Sequence, residues 1–188
     1  KQLTSGLGQL TKARKINYIR GWASFVDQNT LEVKTKDKGT EQIKFKNLII
    51  ATGAQPIKLP FIEQYTNRIM NAEIALELNS IPKKLLVIGG GYIGMESATI
   101  YKALGSEVTL VEALPSIMPG MDKELVAVYM RANKDMFEEM FFETFVTGLK
   151  ETKTRVTASF KKADGETFDK NFDAVLLSGG ATERRGIP

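Results

Sequence analysis

The chain has 188 residues, 43% hydrophobic and 26% charged, an ordinary globular composition with length for one domain, or one domain plus part of another. Its net charge is +4, and basic residues such as Lys34, Lys36, Lys38, Lys44 and Lys46 alternate with other residues along strand and loop faces, which argues against the concentrated basic patch of a nucleic-acid surface. No apolar run approaches the roughly 20 residues of a membrane span, and with no cysteine and no histidine the chain's own residues exclude thiol redox chemistry, most zinc sites and the commonest general base near neutral pH.

The predicted elements begin with an amphipathic helix over residues 1–13, where Leu3, Leu7 and Leu10 recur at helical spacing. The start at Lys1 has no initiator Met, signal region or transit pattern, and the expectation is a piece of a longer protein. Period two then takes over. Ile16–Gly21 reads as a strand, and Ala23–Val26 continues it or starts another. Asp27-Gln28-Asn29-Thr30 turns, Leu31–Lys34 alternates, Lys36–Gly39 turns again, and Gln42–Phe45 leads into an apolar run, Leu48–Ala51, predicted as a buried strand. Thr52-Gly53-Ala54-Gln55-Pro56 breaks the chain. Residues 54–81 hold only a short helical pattern (Ala72, Ile74, Ala75, Leu76, Leu78) ending at Pro82, and read as a crossing between two domains.

From Lys84 the pattern is that of a parallel α/β unit. Leu85–Ile88 is a buried strand, a glycine turn follows, and a helix runs from about Tyr92 to Leu104, closed by Gly105. Val108–Val111 is the next strand. Asp122 caps a second helix with Leu125, Val128 and Tyr129 on one face. Residues 146–149, 154–160 and 166–172 form a three-stranded meander with a hairpin at Asp164-Gly165, and Ala174–Leu177 is a last buried strand. The expected fold is α/β: a Rossmann-like doubly wound parallel sheet with an antiparallel meander.

Gly89, Gly91 and Gly94 satisfy G-x-G-x-x-G, a pattern that is weak alone. Here it directly follows an apolar strand and opens a helix, and an acid, Glu112, ends the next strand 21 residues beyond Gly91. Those are independent requirements of a dinucleotide site. Gly89 allows the tight turn, Gly91 lets a pyrophosphate approach the backbone, and Gly94, with the small Ala98, lets the helix pack close to the sheet. A carboxylate at Glu112 accepts from ribose hydroxyls and repels a 2′-phosphate, and no Arg or Lys occurs from Ala113 to Met121, so NAD is favoured over NADP. The aromatic cluster Phe137, Phe141, Phe142 and Phe145 reads as core, and Glu138-Glu139 as helix surface. Glu96 reads equally as surface or as a group aimed at the nicotinamide.

Leu85 to Glu96 together with Leu104 to Glu112 resemble the NAD domain of the FAD-dependent pyridine nucleotide-disulfide oxidoreductases, and among them the dihydrolipoamide dehydrogenases. Leu48 to Pro56 is similar to that family's second flavin-domain motif, and Gly21 to Phe25 to its adenine-side strand. The resemblance implies that residues 1–60 are a partial FAD-binding segment, 61–81 an interdomain crossing, 82–180 the NAD-binding domain and 181–188 a tail. It implies that Gly89, Gly91, Ile93, Gly94, Glu96, Glu112, Val146 and Gly179 line the NAD site and that Ala23, Thr52 and Gly53 contact FAD in the complete protein. The implied reaction carries electrons from dihydrolipoamide, borne on a lipoyl protein, through a disulfide and FAD to NAD⁺, in a homodimer of the cytoplasm or mitochondrial matrix. The family's cysteine pair and catalytic histidine fall outside Lys1–Pro188, so no catalytic residue and no metal ligand is expected here. Mercuric reductases, transhydrogenases and NADH oxidases share these motifs, and a non-catalytic nucleotide-binding module is the other alternative. The family's Gly-Arg-x-Pro-Asn after the last strand is replaced by Gly179-Gly180-Ala181-Thr182-Glu183, a departure that bears on Gly179.

Overall fold

A computed structural model describes residues 2–37, 39–55, 59–178 and 183–184. The chain divides after Gln55 and before Glu183 into two compact units. In the first, helix α1 (Gln2–Ala13) precedes an antiparallel sheet of β1 (Gly21–Asp27), β2 (Thr30–Thr35) and β3 (Gly39–Lys44), in the order β1-β2-β3. Phe25 and Phe45 meet edge to face at 6.5 Å. A two-residue ladder joins β4 (Ala54–Gln55) to β13 (Glu183–Arg184).

Two strand expectations fail in this unit. Residues 16–20 are irregular, because the pairing of β1 with β2 ends at Gly21 opposite Thr35 and leaves no neighbour further back. Leu48–Ala51 is neither strand nor buried: Ile49 is 90% exposed. An apolar run becomes a strand only beside a partner, and no strand among the described residues pairs with it.

The second unit is built on a five-stranded, wholly parallel sheet in the order β5-β12-β6-β7-β8, formed by β5 (Ile69–Met70), β6 (Lys84–Ile88), β7 (Glu107–Val111), β8 (Glu139–Phe141) and β12 (Ala174–Leu177). Strand alternation sorts the core into two layers. Leu85, Val87, Val108, Leu110, Ala174 and Leu176 share one cluster with helices α2 (Ala72–Leu76), α3 (Tyr92–Ala103) and α4 (Lys123–Ala132). Leu86, Ile88, Val111, Val175 and Leu177 face the other way, onto the meander of β9 (Thr144–Glu151), β10 (Val156–Lys162) and β11 (Thr167–Phe172). Phe160 stacks on Phe168 at 4.9 Å, and Phe141 approaches Phe168 at 5.2 Å to seal that layer. The doubly wound α/β fold with an antiparallel meander is as expected.

The structure adds to these expectations and departs from some of them. Within residues 61–81, read as a crossing, Ile69–Met70 forms the outer strand of the parallel sheet and Ile62 is buried in its core. Glu139 lies on strand β8 rather than on a helix, and pairs with Lys170 of the meander. On α4, Asp122 caps as expected, its Oδ1 accepting from the Glu124 and Leu125 amides. The packed face, however, is Val126, Tyr129 and Met130, with Leu125 and Val128 in solvent. The aromatic cluster is likewise split, with Phe137 in the core and Phe145 exposed.

Helix α2 is tied to α3 through Tyr101, whose hydroxyl donates to the Ala75 carbonyl at 2.8 Å. Burial raises the Tyr101 phenol above its ordinary 10.0, because the phenolate is the form disfavoured by low polarity. The folded state therefore keeps a proton that the unfolded chain gives up near pH 10. The stabilisation is complete below that pH and is lost as pH rises above it. Tyr101→Phe should cost about 1 kcal/mol at neutral pH and flatten the alkaline limb of the stability profile, measured by urea unfolding from pH 8 to 11.

Candidate dinucleotide-binding site

The glycine turn forms where β6 meets α3. Gly89 sits at φ +101°, a backbone region costly to a residue with a Cβ, and its N–H donates to the Val111 carbonyl at 2.8 Å. This bond brings the ends of β6 and β7 together. Gly91 is the N-cap of α3 and supplies no side-chain cap, so the first N–H groups of the helix have no partner within it and face outward with the positive end of the helix dipole.

The three motif glycines have different surroundings. A Cβ on Gly94 would lie 2.6 Å from Ser178 Oγ and closer still to the Gly89 carbonyl oxygen. A Cβ on Gly91 would meet nothing within 4 Å. Gly94 is thus required by packing inside the protein, whereas the space over Gly91 is open for something else.

Glu112 follows directly on β7 and is 8% exposed. Its two carboxylate oxygens are held separately: Oε2 accepts the Gly90 N–H at 2.6 Å, and Oε1 accepts the Leu114 N–H at 2.9 Å. A carboxylate offers about four acceptor positions, so both oxygens keep capacity for a further donor. The backbone at Glu112 is itself fixed, its N–H donating to the Phe141 carbonyl and its carbonyl accepting from Thr144.

A cavity of about 540 Å³ collects Gly89, Gly91, Ile93, Glu112 and Val146, five of the eight residues expected at the NAD site. Gly94 lies beneath the turn, outside the cavity lining. Glu96 is exposed and lines a neighbouring apolar hollow with Met95, Met118 and Tyr129. Gly179 lies outside the described residues. Of the residues expected at FAD, Ala23 pairs with Val33 in the first unit's sheet, while Thr52 and Gly53 are exposed in the segment that follows it, Gly53 at φ +80°. The structure adds Leu114, Phe145 and Ser178 to the cavity. Ser178 carries no local sequence signal, since the carbonyls that it bonds are 89 and 90 residues away. Among the described residues no group of acids could hold a metal ion, and no helix is long and apolar enough to cross a membrane.

The chain resembles known proteins along nearly its whole length. The sequence model of the family described as pyridine nucleotide-disulphide oxidoreductase matches residues 1–186. Dihydrolipoyl dehydrogenase of Haemophilus influenzae is 41% identical over 178 residues, covering 94% of this chain and 37% of that protein. Dihydrolipoyl dehydrogenase 1, mitochondrial, of Arabidopsis thaliana is 36% identical over 183 residues, covering 97% of this chain and 36% of that protein. The chain therefore spans little more than a third of the length of these relatives. Among solved structures, LpdA from Mycobacterium tuberculosis has the same fold, with a TM-score of 0.78 over 96% of this chain and 40% of its own, at 22% identity. The HOCl-induced flavoprotein disulfide reductase RclA from Escherichia coli aligns with a TM-score of 0.75 and 25% identity, over 94% of this chain and 39% of its own. With a family match over nearly the whole chain and a strand–glycine turn–helix–strand unit closed by an anchored carboxylate, the chain belongs to the pyridine nucleotide-disulphide oxidoreductases.

Proposed function

We propose that the second unit binds NAD(H), with the pyrophosphate at the N-terminus of α3 over Gly91 and the adenosine ribose on Glu112. The observation that carries this reading is the pairing, in one cavity, of open space above Gly91 with a carboxylate pinned by two backbone amides. The unpaired helix amides suit a diphosphate, and the anchored carboxylate suits vicinal hydroxyls and repels a 2′-phosphate. Ile93 and Val146 supply apolar walls. Glu96, exposed on the outer side of α3, is assigned to the nicotinamide end.

The wider role is that of the NAD module of an enzyme of the dihydrolipoyl dehydrogenase type, which oxidises a dihydrolipoyl group on a carrier protein with NAD⁺ as acceptor. Its setting would be the cytoplasm or mitochondrial matrix and its assembly a homodimer. What supports this is identity of about 40% to proteins of that name; in this reading Ala23, Thr52 and Gly53 are assigned to FAD. When bound, the flavin and the nicotinamide supply the two-electron chemistry. With neither thiol nor imidazole, the chain's own residues contribute binding, orientation and the electrostatics of cofactor choice.

Isothermal titration of the chain with NADH and NADPH tests the reading. NADH should bind at least tenfold more tightly, since a like-charge contact at the ribose costs more than about 1.4 kcal/mol. Equal affinity, or a preference for NADPH, would remove Glu112 from its assigned role.

A further inference from the structure

The peptide plane between Gly89 and Gly90 is gripped from both sides. Its carbonyl oxygen accepts from Ser178 Oγ at 3.0 Å, and its N–H donates to Glu112 Oε2 at 2.6 Å. In a trans peptide these two groups point in opposite directions, so a hydroxyl from the end of β12 and a carboxylate from the end of β7 hold one rigid plate between them. The same hydroxyl proton is shared with the Ile88 carbonyl at 2.9 Å, a carbonyl that also accepts the Ser178 N–H at 2.9 Å, and this fixes the side chain over the turn. Its Oγ lies 2.6 Å from where a Cβ on Gly94 would sit.

We infer that Ser178 is a positioning residue for the cofactor site: by fixing the Gly89–Gly90 peptide it sets the direction of the Glu112 carboxylate. This deepens the NAD reading and rests on it for its effect on affinity. Without the hydroxyl, the plate is held on one side only, and although the Gly89 N–H stays on Val111 and the Gly90 carbonyl on the Met118 N–H, the glycine torsions let it tilt, carrying the Glu112 Oε2 bond with it. The carboxylate then pivots about its remaining bond from the Leu114 N–H to Oε1, and part of its preorganisation toward a ribose is lost.

The test is a cycle of Ser178→Ala, Glu112→Gln and the double variant, followed by NADH titration, urea unfolding and the amide resonance of Gly90. Ser178→Ala should weaken NADH binding about tenfold, the worth of roughly one hydrogen bond. It should also move the Gly90 amide proton upfield as its bond to Glu112 lengthens, a signature that mere loosening of β12 would not produce. In the double variant the serine change should add little to the loss caused by Glu112→Gln, because no carboxylate remains to be oriented. Strict additivity, or an unmoved Gly90 resonance, would overturn the inference. If the unaltered chain binds no NADH, the dinucleotide reading falls by itself; the Gly90 resonance and non-additive unfolding still decide whether the clamp exists.

Discussion

Gly94→Ala should lower stability by about 3 kcal/mol, whereas Gly91→Val should cost no more than about 1 kcal/mol, the loss of a tolerated N-cap, and abolish NADH binding. Both residues belong to the same motif, yet the structure separates their duties. At Gly94 the added carbon would press on the Gly89 carbonyl and on Ser178 Oγ. The carbonyl is backbone and cannot swing aside, so helix and strand must part, at the upper end of the usual cost of overpacking. For a chain of this size that is a fall of about 10 °C in melting temperature. At Gly91 the backbone is extended, φ −71° and ψ 177°, a conformation open to any residue, and the added carbon meets only open space. The main damage there falls on the ligand, as a branched side chain fills the approach of the pyrophosphate. Thermal melting and NADH titration of the two variants check both arms. Retained binding in Gly91→Val would show that the turn is structural only.

Glu112→Gln should weaken NADH binding about ten- to a hundredfold, narrow the preference over NADPH, and cost about 1–3 kcal/mol of stability. A glutamine keeps one acceptor oxygen, but its NH₂ must then face either the Gly90 or the Leu114 amide, donor against donor. That unmet N–H is nearly out of solvent, and its cost is the lost acceptor. Loss of the negative charge also removes the repulsion toward a 2′-phosphate, so NADPH should lose less than NADH. Unfolding curves and paired titrations measure the two effects. A variant with wild-type melting and an unchanged cofactor ratio would separate Glu112 from both roles.

What could be read ahead of the structure was what depends on near neighbours in sequence. The near-continuous apolar runs Leu85–Ile88, Val108–Val111 and Ala174–Leu177 announced strands buried on both faces, and the glycine spacing placed the turn between β6 and α3. The position of Glu112 at the end of β7 was legible because the length of one βαβ unit fixes where such an acid falls. What stayed hidden depends on distant partners. Ile69–Met70 is too short to show a period, and becomes a strand only because β12, more than a hundred residues later, lies beside it. Glu139 looked like a helix surface until Lys170 and the edge of β7 supplied its setting. Leu48–Ala51 failed in the opposite sense, since its composition signals burial but pairing is a property of neighbours. Ser178 is the same case within the site itself.

The outer strand β5 has a practical corollary for protein engineering. Because Ile62, Ile69 and Met70 are built into the same sheet core as the glycine-turn strand, a chimera that grafts this nucleotide module onto another scaffold should be spliced near Gln55. A splice at Pro82, just before the α/β pattern starts in the sequence, would discard an edge strand and leave the flank of β12 bare, inviting the transplanted sheet to recruit a strand from a second molecule.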